Sequence, residues 1–176
     1  MNNIKTLKKF REVFESWEVE LKGYEFQTLL KKPNAESWSL GQVYIHLINS
    51  TLDFHLKQVQ FCLENSENSE KSKNLKGFIV YKLLGSFPPI KIKVPASENY
   101  TPEQPESIEQ IIEGFAKVRA KMELTLQKLT TEKQGKTKHP GFQYLNGNEW
   151  YRLVEMHFRH HKRQKERIDQ YIKELQ

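Results

Sequence analysis

Apolar side chains recur at spacings of three and four along four long stretches of the chain, with polar ones between them. In the first, from about Ile4 to Leu30, residues Leu7, Phe10, Phe14, Trp17 and Leu21 share one side of an α-helix. Lys32-Pro33-Asn34 ends it, because proline lacks an N–H and cannot continue a helical ladder. The second stretch opens at Ser39-Leu-Gly-Gln42, where serine and the glutamine three residues later can satisfy each other's free backbone N–H as a capping box. It runs to about Glu64, before the polar turn Asn65 to Ser72. The third spans about Ser107 to Leu129, with Ile108, Ile111, Ile112, Phe115, Val118, Met122 and Leu126 in phase. The fourth starts near Asn146, with Glu149 placed to close the cap, and runs to the C-terminus.

Between the second and third stretches, Lys76 to Leu84 predicts a helix fragment. Gly85 to Gln104 then forms a connection punctuated by Pro88, Pro89, Pro95 and Pro102. Loops of about 20 residues are uncommon unless they bind or cover something, and Ser86 to Pro95 is apolar enough to wall a pocket, with Phe87 and Ile90 facing inward. Strand signal is weak beyond Ile90 to Val94, which alternates with lysines. The expectation is therefore an all-α four-helix bundle with a long central connection, one domain over residues 1–176, not ordered simply up-down-up-down.

Charge changes the picture little. The formal net charge is +6, from 28 basic and 22 acidic side chains. The basic residues are scattered among acidic ones, without the motif or aromatic platform of a specific nucleic-acid binder. No apolar run approaches the roughly 20 residues that span a bilayer. One cysteine, Cys62, allows no internal disulfide, and no apolar segment follows Met-Asn-Asn-Ile-Lys-Thr-Leu-Lys-Lys as in a signal peptide. These features favour a cytoplasmic protein acting on a small molecule.

The histidines carry the candidate chemistry. Trp150, Val154, His157, His161, Gln164, Ile168, Tyr171 and Leu175 alternate by four and three along the last helix, the seam that faces neighbours in a bundle. Two imidazoles on a buried seam are costly unless something satisfies them. The i, i+4 spacing stacks His157 above His161, as two ligands of one metal require. His46, inside the apolar Val43-Tyr-Ile-His-Leu-Ile48, is the third candidate, and three neutral imidazoles with an open position are a common catalytic zinc arrangement. His160 lies about 60° off the seam, a boundary position. His55, nine residues after His46, is expected to be packing or solvent-facing, while His139 sits in a loop that could reach the pocket. Cys62, about 24 Å along the helix from His46, is too far to be a ligand. Asn49, Ser50 and Asp53 follow His46 on roughly one face and could orient a ring N–H.

Three segments together resemble the DinB-like superfamily: Glu36-Ser-Trp-Ser-Leu-Gly-Gln-Val-Tyr-Ile-His46, Lys138-His-Pro-Gly-Phe-Gln-Tyr-Leu-Asn-Gly-Asn-Glu-Trp150, and His157-Phe-Arg-His-His161-Lys-Arg-Gln164. The resemblance implies a four-helix bundle, often homodimeric, with a divalent-metal site whose ligands carry over onto His46, His157 and His161. Zinc or nickel comes first, with iron, manganese or copper admissible. Relatives include thiol transferases using bacillithiol, mycothiol or glutathione, and putative hydrolases. Gln164 stands where some thiol-transferase relatives have a further histidine. Two readings follow: a metal-dependent enzyme, acidifying water for hydrolysis or holding a low-molecular-weight thiol as thiolate for transfer; or a non-catalytic, metal-stabilised binding or stress-response protein.

Overall fold

The computed structural model describes residues 2–87, 101–130, 132 and 134–174. Four helical rods dominate them. The first is α1 (Asn3–Leu21), started by Asn2, whose side chain accepts from the Lys5 N–H. It stops before the expected Leu30: Lys22 and Gly23 tighten into a turn, glycine being about 1 kcal/mol poorer than alanine in a helix. A short α2 (Phe26–Leu29) follows and buries Leu29.

The second rod begins with α3 (Leu40–Asn49), and both bonds of the Ser39–Gln42 capping box are present. Residues Ser50–His55 then form a π-helical turn, after which α4 (Leu56–Glu64) completes the rod. The helix fragment is α5 (Leu75–Phe78), continued by a second π turn, Ile79–Leu84, which closes on Gly85 in the left-handed region at φ 61°. The proposed pocket wall lies mostly outside the described residues, Ile90 and the strand-like Ile90 to Val94 included. Phe87 is described, and packs on Phe142 and His160 with ring centroids 5.7 and 5.3 Å apart.

The third rod is α6 (Ile108–Lys128), capped by Ser107. The fourth is α7 (Gly147–Glu174). Asn146 and Glu149 cap α7 reciprocally, each side chain accepting from the other's N–H at 3.0 and 3.1 Å. Between α6 and α7 the sequence predicts only a loop, but the chain forms an antiparallel hairpin of β1 (Lys136–His139) and β2 (Gln143–Asn146), in register Lys136↔Asn146 to His139↔Gln143. Pro140-Gly141 supplies the turn.

In space, α1 packs chiefly on α6 and α7, and α3 packs on the same two. The first and second rods are thus diagonal partners rather than neighbours, as are the third and fourth. One aromatic cluster joins all four: Phe14 of α1 stacks on Phe115 of α6 at 4.7 Å, Tyr44 of α3 meets Phe115 at 5.4 Å, and Phe158 of α7 meets Phe14 at 5.5 Å. Burying one such ring contributes about 1.5–3 kcal/mol. Towards the C-terminal end of α7, the buried Lys165 ammonium is satisfied by Tyr24, Glu20 and Asp169 at 2.7, 2.6 and 2.5 Å. This network fastens α7 to the chain around α1.

Among the described residues no helix is long and apolar enough to cross a membrane.

Candidate metal centre

The diagonal arrangement lets α3 and α7 face each other, and they do so through imidazoles. Nε2 of His157 lies 3.1 Å from Nε2 of His46 and 3.0 Å from Nε2 of His161. Ring centroids of the three are 4.6 to 4.9 Å apart. The helical phase explains the pair on α7: four residues make slightly more than one turn, so both rings leave the helix on one side.

The protons present do not satisfy this triangle. Nδ1 of His161 donates to Oε1 of Gln164 at 2.8 Å, which leaves Nε2 of a neutral ring as a lone pair aimed inward. Ser50 Oγ donates to the Leu47 carbonyl and lies 3.4 Å from Nδ1 of His157, positioned to accept its proton. Two inward lone pairs 3.0 Å apart then repel unless a positive centre stands between them. A single ion about 2.0–2.1 Å from each nitrogen would set N···N separations of about 2.9–3.4 Å over the usual ligand angles. The spacings of 3.0 and 3.1 Å lie in that range and all three ligand nitrogens lie within 4.8 Å of one another, so the residues fit a divalent ion.

Electrostatics agree. Burial pushes the His46 imidazole down to about 4, helped by His160 nearby. His157 and His161 fall well below the usual histidine range, first through burial and then through the other histidines. All three rings are therefore neutral near pH 7, and an ion would not have to displace protons to bind. Among the described residues, no other His, Cys, Asp or Glu joins the group.

Around the centre, the Trp38 ring lies 5.0 Å from His46 and the His160 ring 5.3 Å from His161. Of the three polar residues expected to orient ligands, only Ser50 reaches one. Asn49 is exposed, and Asp53 is turned to solvent in an ion pair with Lys57 at 3.1 Å. Gln164, which the sequence placed on the seam, is the residue that orients His161. Cys62 is buried elsewhere, 3.6 Å from the Leu145 carbonyl.

Residues 6–164 match the sequence profile of the DinB superfamily. The chain belongs to the DinB superfamily. Comparison with curated proteins found no match. The matched span of this DinB-superfamily chain contains all three converging histidines.

His55, expected to be packing or solvent-facing, is a packed residue, and the structure puts it nearer the three histidines than helix spacing alone would. Nine α-helical residues carry a side chain half a revolution round, so His55 should face away from His46. The π turn holds one extra residue, and positions after it lag by about 100°. His55 is thereby brought edge-on to His157, with centroids 5.1 Å apart, and buried. His139, at the end of β1, stacks on Phe142 at 4.5 Å and lies 5.2 Å from Trp150, which in turn neighbours His55 at 6.0 Å. All six histidines of the chain thus belong to one connected group of rings.

Proposed function

We propose that the protein binds one divalent transition-metal ion through His46, His157 and His161, and that it is a metal-dependent enzyme acting on a small molecule by thiol transfer or hydrolysis. The observation that carries the reading is the convergence of three Nε2 atoms from His46, His157 and His161 on one point, with the outer nitrogen of His161 bonded to Gln164 so that its inner one is free to bind a cation. When bound, such an ion supplies Lewis acidity, the property that both reaction classes use. The chain's own residues do the rest. Gln164 and Ser50 fix which ring nitrogen carries the proton, burial keeps the rings neutral, and Trp38 packs against His46.

A three-ligand set leaves coordination positions open, as catalytic sites do, whereas a purely structural site is normally closed by a fourth protein ligand. That favours the enzyme over a metal-stabilised binding protein. The deciding experiment is elemental analysis of protein purified without chelating resin, paired with assays of thiol transfer to an electrophile and of ester or amide hydrolysis. One equivalent of metal with turnover in either assay is expected. Protein that neither retains nor takes up zinc or nickel would sink the proposal.

A further inference from the structure

Three buried ring nitrogens around the centre have no hydrogen-bond partner among the described residues: Nδ1 of His160, Nδ1 of His55 and Nε1 of Trp150, the last two on neighbouring rings. His55 is only 6% exposed and Trp150 is completely buried. An unmet buried donor or acceptor costs about 1–3 kcal/mol, and buried polar groups in folded proteins are nearly always paired. Two such groups on neighbouring rings point to a partner from outside the chain.

The geometry says what kind of partner. Indole Nε1 is only a donor. The His55 ring has at least one N–H, and its unpartnered Nδ1 can carry it. The two rings are 6.0 Å apart and inclined by 34°. Rings this close can present both donors to one small acceptor molecule, each N–H···O bond taking about 2.9 Å. His139 adds a further donor to the group: its Nδ1 accepts from the Gly141 N–H at 3.0 Å, which puts the proton on Nε2. Phe54 leans on both rings, 5.3 Å from Trp150 and 5.6 Å from His55, and is itself 39% exposed.

We propose that Nδ1 of His55 and Nε1 of Trp150 form an oxygen-binding subsite next to the three-histidine centre, taking a carbonyl or carboxylate oxygen of the small molecule on which that centre acts. That the oxygen belongs to a substrate rests on the metal-site reading; that the subsite binds an oxygen acceptor does not. The π turn gives the subsite its place, since without it His55 would point to the opposite side of the rod.

Acetate is the probe, with the indole N–H signals of nitrogen-labelled, metal-free protein as the readout. Trp150→Phe identifies the Trp150 signal. Trp17 is an internal control, because its Nε1 already donates to the Phe158 carbonyl at 3.3 Å. Acetate should move the Trp150 signal saturably and leave Trp17 still. His55→Leu should weaken the effect about tenfold, which corresponds to about 1.4 kcal/mol, the size of one hydrogen bond. A Trp150 signal unmoved in the wild-type protein overturns the proposal without any variant having to fold. So does an equal response in His55→Leu, and so does loss of stoichiometric zinc in that variant, which would make His55 a metal ligand. Failure of wild-type protein to bind zinc would refute the metal reading alone, because the acetate titration uses no metal.

Discussion

Lowering the pH should unfold the metal-free protein well above the range where carboxylates titrate. His46 and His55 are held down to about 4 and about 3, mainly by burial, whereas imidazoles of an unfolded chain titrate near 6.5. Between those values the unfolded chain binds protons that the native one refuses. Stability is therefore complete above about pH 6.5 and is lost as pH falls toward the native values. At pH 5 the linkage relation gives about 2 kcal/mol lost for each of these two residues, or about 4 kcal/mol together. His157 and His161 shift in the same direction and enlarge the loss. A loss of about 4 kcal/mol is a large part of the 5–15 kcal/mol typical of a domain. With a urea dependence of about 2 kcal/mol/M, the midpoint should drop by about 2 M between pH 7.5 and pH 5. Circular dichroism of chelator-treated, desalted protein reads this directly. His55→Leu should recover about half of the two-residue drop, since leucine takes up no proton. A midpoint that stays level across this range would show that the histidines are hydrated or already protonated, and the account of a dry, neutral centre would fail.

Other expectations follow from the same geometry. Alanine at His157 or His161 should abolish stoichiometric metal binding, with a lower melting temperature in the presence of metal, whereas His160→Ala should retain it; equal loss in all three, measured by elemental analysis, would mean the wrong pair was chosen. Gln164→Leu frees the His161 tautomer and should weaken metal affinity about 10- to 100-fold by calorimetry, and an unchanged affinity would remove Gln164 from the site. Gly135→Ala should cost about 1–3 kcal/mol in urea unfolding, because a Cβ there would lie 2.7 Å from the Asn65 carbonyl oxygen, and backbone cannot step aside as a side-chain tip can.

The bundle was legible because its signals are local. Ser39 with Gln42, Asn146 with Glu149, and the four-three spacing from Trp150 to Ile168 each declare themselves within a few residues. The convergence of His157 and His161 is likewise a matter of helix phase. What escaped depends on distant packing. An i→i+5 turn at Ser50–His55 has no sequence signature of its own, so the position of His55 could not be derived from spacing. The hairpin was missed for a different reason: Pro140-Gly141 is a turn signal, but the flanking strands are only four residues each and lack clear alternation. The role of Gln164 was half visible, since its seam position promised burial without saying that it would hold a histidine.

The π turn also alters what insertions and deletions can do to this chain. In most helices far from a site, removing one residue from a surface loop is tolerated and removing one from the helix is not. Here, deleting one residue of Ser50–His55 would remove the turn's extra residue and its lag of about 100° together, so the rod would relax to a regular α-helix with everything beyond it still in phase. Leu56, Val59 and Cys62, all buried in α4, would keep their places in the core. A one-residue deletion in that turn therefore leaves the packing on both sides intact and rearranges only the side chains inside the turn, whereas the same deletion in α3 or α4 would turn one buried face out to solvent.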